Sequence, residues 1–187
     1  MHRRAAILIA ALAFGALSGG AAYQRVQPQG AAARGDQMSW REISWPFPRD
    51  GWPVGRAFHC DAEACGAEVE LYVRPKIGFC NCDTGVADDD EVDRVADLDL
   101  MSQRFVPLAA GNVIKVAGLV GRSRGYDLRM ADGSRRTAIG FALSRRCDLM
   151  VAVVQGNGSA PAVQQLAENF LNSEPMVHWV MSELNND

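Results

Sequence analysis

The feature that most constrains this chain is a cluster of cysteines. Cys60, Cys65, Cys80 and Cys82 all fall within residues 59–82, next to His59, and only Cys147 lies elsewhere. Thiols at that density form a disulfide framework in an oxidising compartment and a metal or redox site in a reducing one, so location decides their chemistry.

The first residues bear on location. His2, Arg3 and Arg4 make a basic start, residues 5–17 are small and apolar throughout, and Gly20, Ala21 and Ala22 precede Tyr23. This pattern predicts a secretory signal peptide over residues 1–22, cleaved before Tyr23. An uncleaved signal anchor is the rival expectation, because residues 5–22 form a helix just long enough for a hydrocarbon core of about 30 Å. Both outcomes place the rest of the chain in the periplasm or outside the cell, with the membrane involved only through an uncleaved N-terminal segment. Disulfides persist there. Residues 23–38, rich in Gln, Ala, Gly and Arg without a hydrophobic period, are expected to be a flexible linker, and residues 39–187 a single domain.

Disulfides are therefore expected among Cys60, Cys65, Cys80 and Cys82. A bridge within Cys80-Asn81-Cys82 would close a small strained ring, so the expectation is two cross-pairs, Cys60 with Cys82 and Cys65 with Cys80 or the opposite combination. Cys147 is left as the odd thiol, buried in or beside a strand. The alternative is a thiolate site for zinc or copper built from the same four cysteines with His59, although the Cys-x4-Cys and Cys-x-Cys spacings are not standard for zinc.

Composition limits the function classes. At 187 residues, 48% hydrophobic and 22% charged, the chain can bury a real core. Its net charge is −3 and becomes more negative once residues 1–22 are removed, since they carry Arg3 and Arg4 and no acid. That balance offers nucleic acid no long-range attraction. A hydrolytic triad or dyad needs a base beside its nucleophile, and beyond the signal the histidines are His59 and His178. His59 adjoins Cys60, but neighbours on a strand point to opposite faces. No catalytic residue is assigned.

The chain in order reads as strands first. Trp40, Ile43, Trp45, Phe47 and Trp52 among Pro46, Pro48 and Pro53 predict an extended segment broken by proline, its tryptophans sealing the core edge. Val69, Leu71 and Val73 alternate with Glu68, Glu70, Tyr72 and Arg74 at the period of a strand. The run Asp88, Asp89, Asp90, Glu91 predicts the first turn of a helix over about 89–105, where carboxylates meet the positive dipole end, and lacks the spacing of a calcium loop.

Sheet segments then follow at 113–120, around Tyr126, Leu128 and Met130, around Thr137, Ile139, Phe141 and Leu143, and at 147–154. Asp132-Gly133 signals a hairpin between the second and third. Arg122, Arg124, Arg129, Arg135, Arg136, Arg145 and Arg146 decorate this meander, as a solvated face or as an anion-binding or partner surface. Gly156-Asn157-Gly158 lacks the third glycine and Lys-Ser/Thr of nucleotide-binding loops, so no cofactor is expected. Ser159 caps a helix whose inner face is Val163, Leu166, Ala167, Phe170 and Leu171, and Ser173 caps a second with Val177, Val180, Met181 and Leu184.

This order predicts an α+β domain with a largely antiparallel sheet and helices packed on it. With the segment Trp45-Pro46-Phe47-Pro48-Arg49-Asp50-Gly51-Trp52 and the helix over 162–171, the order over residues about 40–184 resembles the α/β/α sandwich shared by the lumenal extrinsic protein of photosystem II and a Ran-binding nuclear import cofactor. The resemblance implies a non-catalytic accessory protein. It transfers no functional residue, and the cysteine cluster departs from it. The sequence reading is thus an exported, disulfide-stabilised accessory or interaction protein meeting an unknown protein partner.

Overall fold

A computed structural model describes residues 40–79 and 85–185, and the expectations for the signal segment, the linker, Cys80 and Cys82 lie outside them. The strands are β1 (Trp40–Ile43), β2 (Arg56–Cys60), β3 (Val69–Lys76), β4 (Phe105–Pro107), β5 (Asn112–Val116), β6 (Leu119–Arg129), β7 (Arg135–Arg145) and β8 (Asp148–Gly156). Five helices accompany them among the described residues: α1 (Ala62–Cys65), α2 (Asp89–Val95), α3 (Leu98–Met101), α4 (Ala160–Leu171) and α5 (Glu174–Glu183). The strands form one antiparallel sheet in the order β1-β2-β3-β8-β7-β6-β4, with β5 also paired to β6. The α+β expectation is met.

β8 has all nine residues buried and pairs with β3 on one side and β7 on the other. Its apolar run, which fits no amphipathic period, is what a strand covered on both faces requires. Met150, Ala152 and Val154 point to one core with Leu71, Val73, Phe141 and Leu143, while Leu149, Val151 and Val153 point to a second with Tyr126, Ala138 and Ala142. Helices α4 and α5 cover the first face and α2 and α3 the second, giving three layers.

The acidic run does open a helix. Asp88 Oδ1 accepts from the Glu91 N–H at 3.0 Å and Glu91 Oε2 accepts from the Ala87 N–H at 3.0 Å, a reciprocal cap. The helix ends sooner than its composition predicts, at Val95, because Asp97 takes a left-handed conformation with φ of 60°. Asp97 accepts hydrogen bonds from Arg74, which is 3% exposed on β3, at 2.6 and 2.8 Å, and pairs with Lys76 at 2.7 Å. Asp50 accepts two more from Arg74, at 2.7 and 2.8 Å. Two cations buried on a sheet face need such partners, since an unpaired buried charge costs several kcal/mol. Burial opposes the Arg74 charge, but the hydrogen bonds to Asp97 and Asp50 outweigh it and hold its pKa above the ordinary value. This cluster fastens the proline-rich opening segment to the sheet, with Trp45 and Phe47 edge-on to Tyr72.

Two further differences from the sequence reading concern strands. Residues 113–120 are not one strand: Ala117 and Gly118, with φ of 51° and 77°, turn β5 back into β6. Phe105, expected to end a helix, instead opens β4 against Leu128. The Asp132-Gly133 hairpin stands where expected, with Gly133 at φ 83°.

Helix α4 buries Val163, Ala167, Phe170 and Leu171, and Phe170 stacks on Trp40 at 4.9 Å and meets Phe58 edge-on at 4.8 Å. Truncation there leaves a cavity between three aromatic rings, so Phe170→Ala is expected to destabilise the domain by roughly 3–5 kcal/mol in urea unfolding. A change within about 0.5 kcal/mol would mean that this face of α4 is not packed on the sheet.

Candidate functional site

The cysteines do not pair as the spacing suggests. Cys60 is bonded to Cys65, with Cα atoms 6.1 Å apart, and Cys147 is also disulfide-bonded, so the expected cross-pairs and the odd thiol are both corrected. The reason is the direction of the chain. Cys60 ends β2 with its side chain in the core, and the single turn of α1 brings Cys65 back to it. The chain then runs the length of β3, roughly 23 Å at strand rise, before it leaves the sheet at the opposite end. Closing so short a loop contributes only about 2 kcal/mol by the chain-entropy account.

Cys147 is exposed, on the turn between β7 and β8 rather than in a strand. That turn sits where β3 ends, since Lys76 pairs with Leu149 and the Gly78 N–H donates to Asp148 Oδ1 at 2.7 Å. By elimination among five cysteines, peptide mapping of the unreduced protein is expected to yield a Cys60–Cys65 peptide and Cys147 joined to the peptide carrying Cys80 and Cys82. Cross-links from Cys60 or Cys65 to that peptide would contradict this arrangement.

Of the alternative metal set, Cys60, Cys65 and His59 lie among the described residues. Cys60 and Cys65 are consumed in their bridge, and His59 points away from Cys60, its Nε2 lying 2.8 Å from Asp61 Oδ1. No group of three His, Cys, Asp or Glu side chains among the described residues is placed to hold a metal ion. His178 is exposed on α5.

The arginines of the meander separate into different roles. Arg122 and Arg124 bind Asp89 and Asp93 at 2.6 and 2.8 Å, and the Tyr126 hydroxyl donates to Asp93 at 2.5 Å, pinning α2 to β6. Burial, then the hydrogen bond to Asp93, pushes the Tyr126 hydroxyl pKa up, while the Gly111 N–H and Arg122 hold the Asp89 carboxyl below the ordinary range. Arg136 lies 4.0 Å from Glu70, which also accepts from Tyr72 at 3.0 Å and Gln155 at 2.7 Å. Arg145 donates to the Met181 sulfur at 3.1 Å, and Arg146 is exposed beside Cys147.

Arg129 and Arg135 belong instead to an open site. They pair directly across β6 and β7, and the Arg129 N–H donates to the Arg104 carbonyl at 2.9 Å, which extends the β4–β6 ladder by one residue. Beside these three residues runs a groove of about 490 Å³, lined also by Val106, Leu108 and Asp127. Past Leu108 it meets a second hollow of about 570 Å³ over Gly125 and Ile139, which ends at Ala160 and Pro161 of α4. The helix layer stops short of this end of the sheet. Arg104 was not singled out in the sequence; its place in the row depends on strand register, which no local pattern signals.

No family model matches this chain, and no curated protein does. Among solved structures it is similar to a Pseudomonas aeruginosa protein of unknown function, at 12% identity and a TM-score of 0.39, covering 72% of this chain and 81% of that one. It is also similar to the cyanobacterial PsbP (CyanoP) of Synechocystis sp. PCC 6803, at 12% identity and a TM-score of 0.42, covering 78% and 80%. Both are likenesses of fold at low identity.

Proposed function

We propose that this chain is an exported, disulfide-stabilised accessory or interaction protein, without catalytic activity, that meets a protein partner at the β4 end of its sheet. The observation that carries the reading is the pair of bonded sites at opposite ends of β3, the Cys60–Cys65 bridge and the bonded Cys147. Disulfides are retained in the periplasm and outside the cell and are reduced in most cytosols. The basic and apolar start of the sequence supports the same destination.

The choice of an interaction role rests on what the described surface offers. Val106 and Leu108, 63% and 54% exposed, adjoin one another on the uncovered sheet face beside the arginines. Exposed apolar side chains grouped with charge mark contact surfaces more often than singly scattered ones do. The metal reading is less favoured because two of its thiolates are oxidised.

Cell fractionation with intact-mass measurement tests this. The domain is expected outside the cytoplasm with its disulfides formed, beginning near residue 23 if the signal is cleaved, or membrane-held and open to external protease if it is not. A cytoplasmic protein retaining Met1 and carrying reduced cysteines would overturn the proposal.

A further inference from the structure

The row formed by Arg104, Arg129 and Arg135 concentrates like charge where a sheet tolerates it poorly. Side chains directly opposite one another on neighbouring strands are in contact range, and like charges there are destabilising. Alternation puts all three on the face that carries Val106, Asp127 and Ile139. Among the described residues Arg135 has an ion-pair partner, Asp127, whose carboxyl is held below the ordinary range by the hydrogen bond from Arg135 and, more weakly, by the charge of Arg129, whereas no carboxylate lies within ion-pair distance of Arg104 or Arg129. The chain as a whole is net negative, so this is a local reversal of sign.

The groove beside the row adds an apolar requirement, because Val106 and Leu108 stand largely in solvent. The backbone of β4 does not invite strand addition. With Arg104 and Leu108 bonded inward to β6, the backbone groups of Phe105 and Pro107 point outward, and Pro107 has no N–H to give. Recognition must therefore come through side chains. Guanidinium groups bind carboxylates through paired, charge-assisted hydrogen bonds, and three strands about 4.8 Å apart present a row about 10 Å long, which two or three residues of an extended segment span. Nucleic acid and anionic membranes are attracted by broad positive fields, and a short row on a net-negative protein does not supply one.

We propose that the β4 end of the sheet binds an extended acidic segment of a partner protein, its carboxylates on Arg104 and Arg129 and an apolar side chain in the Val106 and Leu108 groove. This rests on the interaction reading above and gives the partner its chemistry.

Fluorescence anisotropy on the full oxidised chain, with a labelled peptide of alternating glutamate and valine and a lysine–valine counterpart, tests it. The acidic probe binds and the lysine probe does not; binding weakens with added salt and falls at least about tenfold in Arg104→Gln/Arg129→Gln. Both positions are exposed, so an unchanged melting temperature shows that the variant is folded. Absence of binding by the acidic probe, equal affinity for the variant, or tighter binding to a single-stranded oligonucleotide or to phosphatidylglycerol vesicles would overturn the proposal. If the acidic probe fails while Val106→Asp/Leu108→Asp abolishes cross-linking to a partner in the native compartment, the interaction reading stands and the acidic assignment falls.

Discussion

The pairing of β3 with β8 is the constraint on which the other features depend. Eight residues of β3 face eight of β8 across a sequence separation of roughly eighty residues, and β8 is covered on both faces. Without that ladder the first three strands would have no access to either core. With it, the end of β3 meets the Cys147 turn, and Arg74 and Lys76 are carried under the α2–α3 layer, where they need Asp97 and Asp50. A non-local contact of this kind repays its loop-closure entropy only when it forms entire, which ties the two parts of the domain together.

The same geometry explains why one part of the sheet stays open. Helix α4 begins at Ala160, after Gly156 ends the central strand, and packs on β7 and β8 with its first turn beside Ile139. Gly125 offers no side chain to fill the space beyond, so Leu108 and Ile139 border a hollow. The arginine row lies further along that uncovered face. Its neighbours on the opposite face, Arg122 and Arg124, are tied down by carboxylates of α2 because a helix covers them. Cover decides which arginines serve structure and which remain free to meet a partner.

Features set by local chemistry were legible in the sequence. The Asp132-Gly133 turn, the acidic helix start at Asp88 to Glu91, the buried run of β8 and the inner face of α4 each depend on a few consecutive residues. Features set by distant contacts were not. The break at Asp97 is fixed by Arg74, twenty-three residues earlier in the chain, and cannot be seen in the helical composition of residues 89–105. The turn at Ala117-Gly118 lacks the Asn or Asp that usually marks a tight hairpin. Cysteine pairing was misread because the strand between Cys65 and Cys80 is legible as a strand, but the end of the sheet to which it carries the chain, away from Cys60, depends on its pairing with β8. The arginines were noted as a group, but only register separates the row from the helix-bound pair and adds Arg104 to it.

Native-state hydrogen exchange tests the central claim, that β3 and β8 join the two parts of the chain into one unit. Backbone amides of β3, β8 and β7 are expected to be the slowest to exchange and to open together, in the oxidised protein and after reduction of the disulfides. Exchange of β1, β2 and β3 as a separate unit, well ahead of β8 and β7 in the oxidised protein, would contradict it.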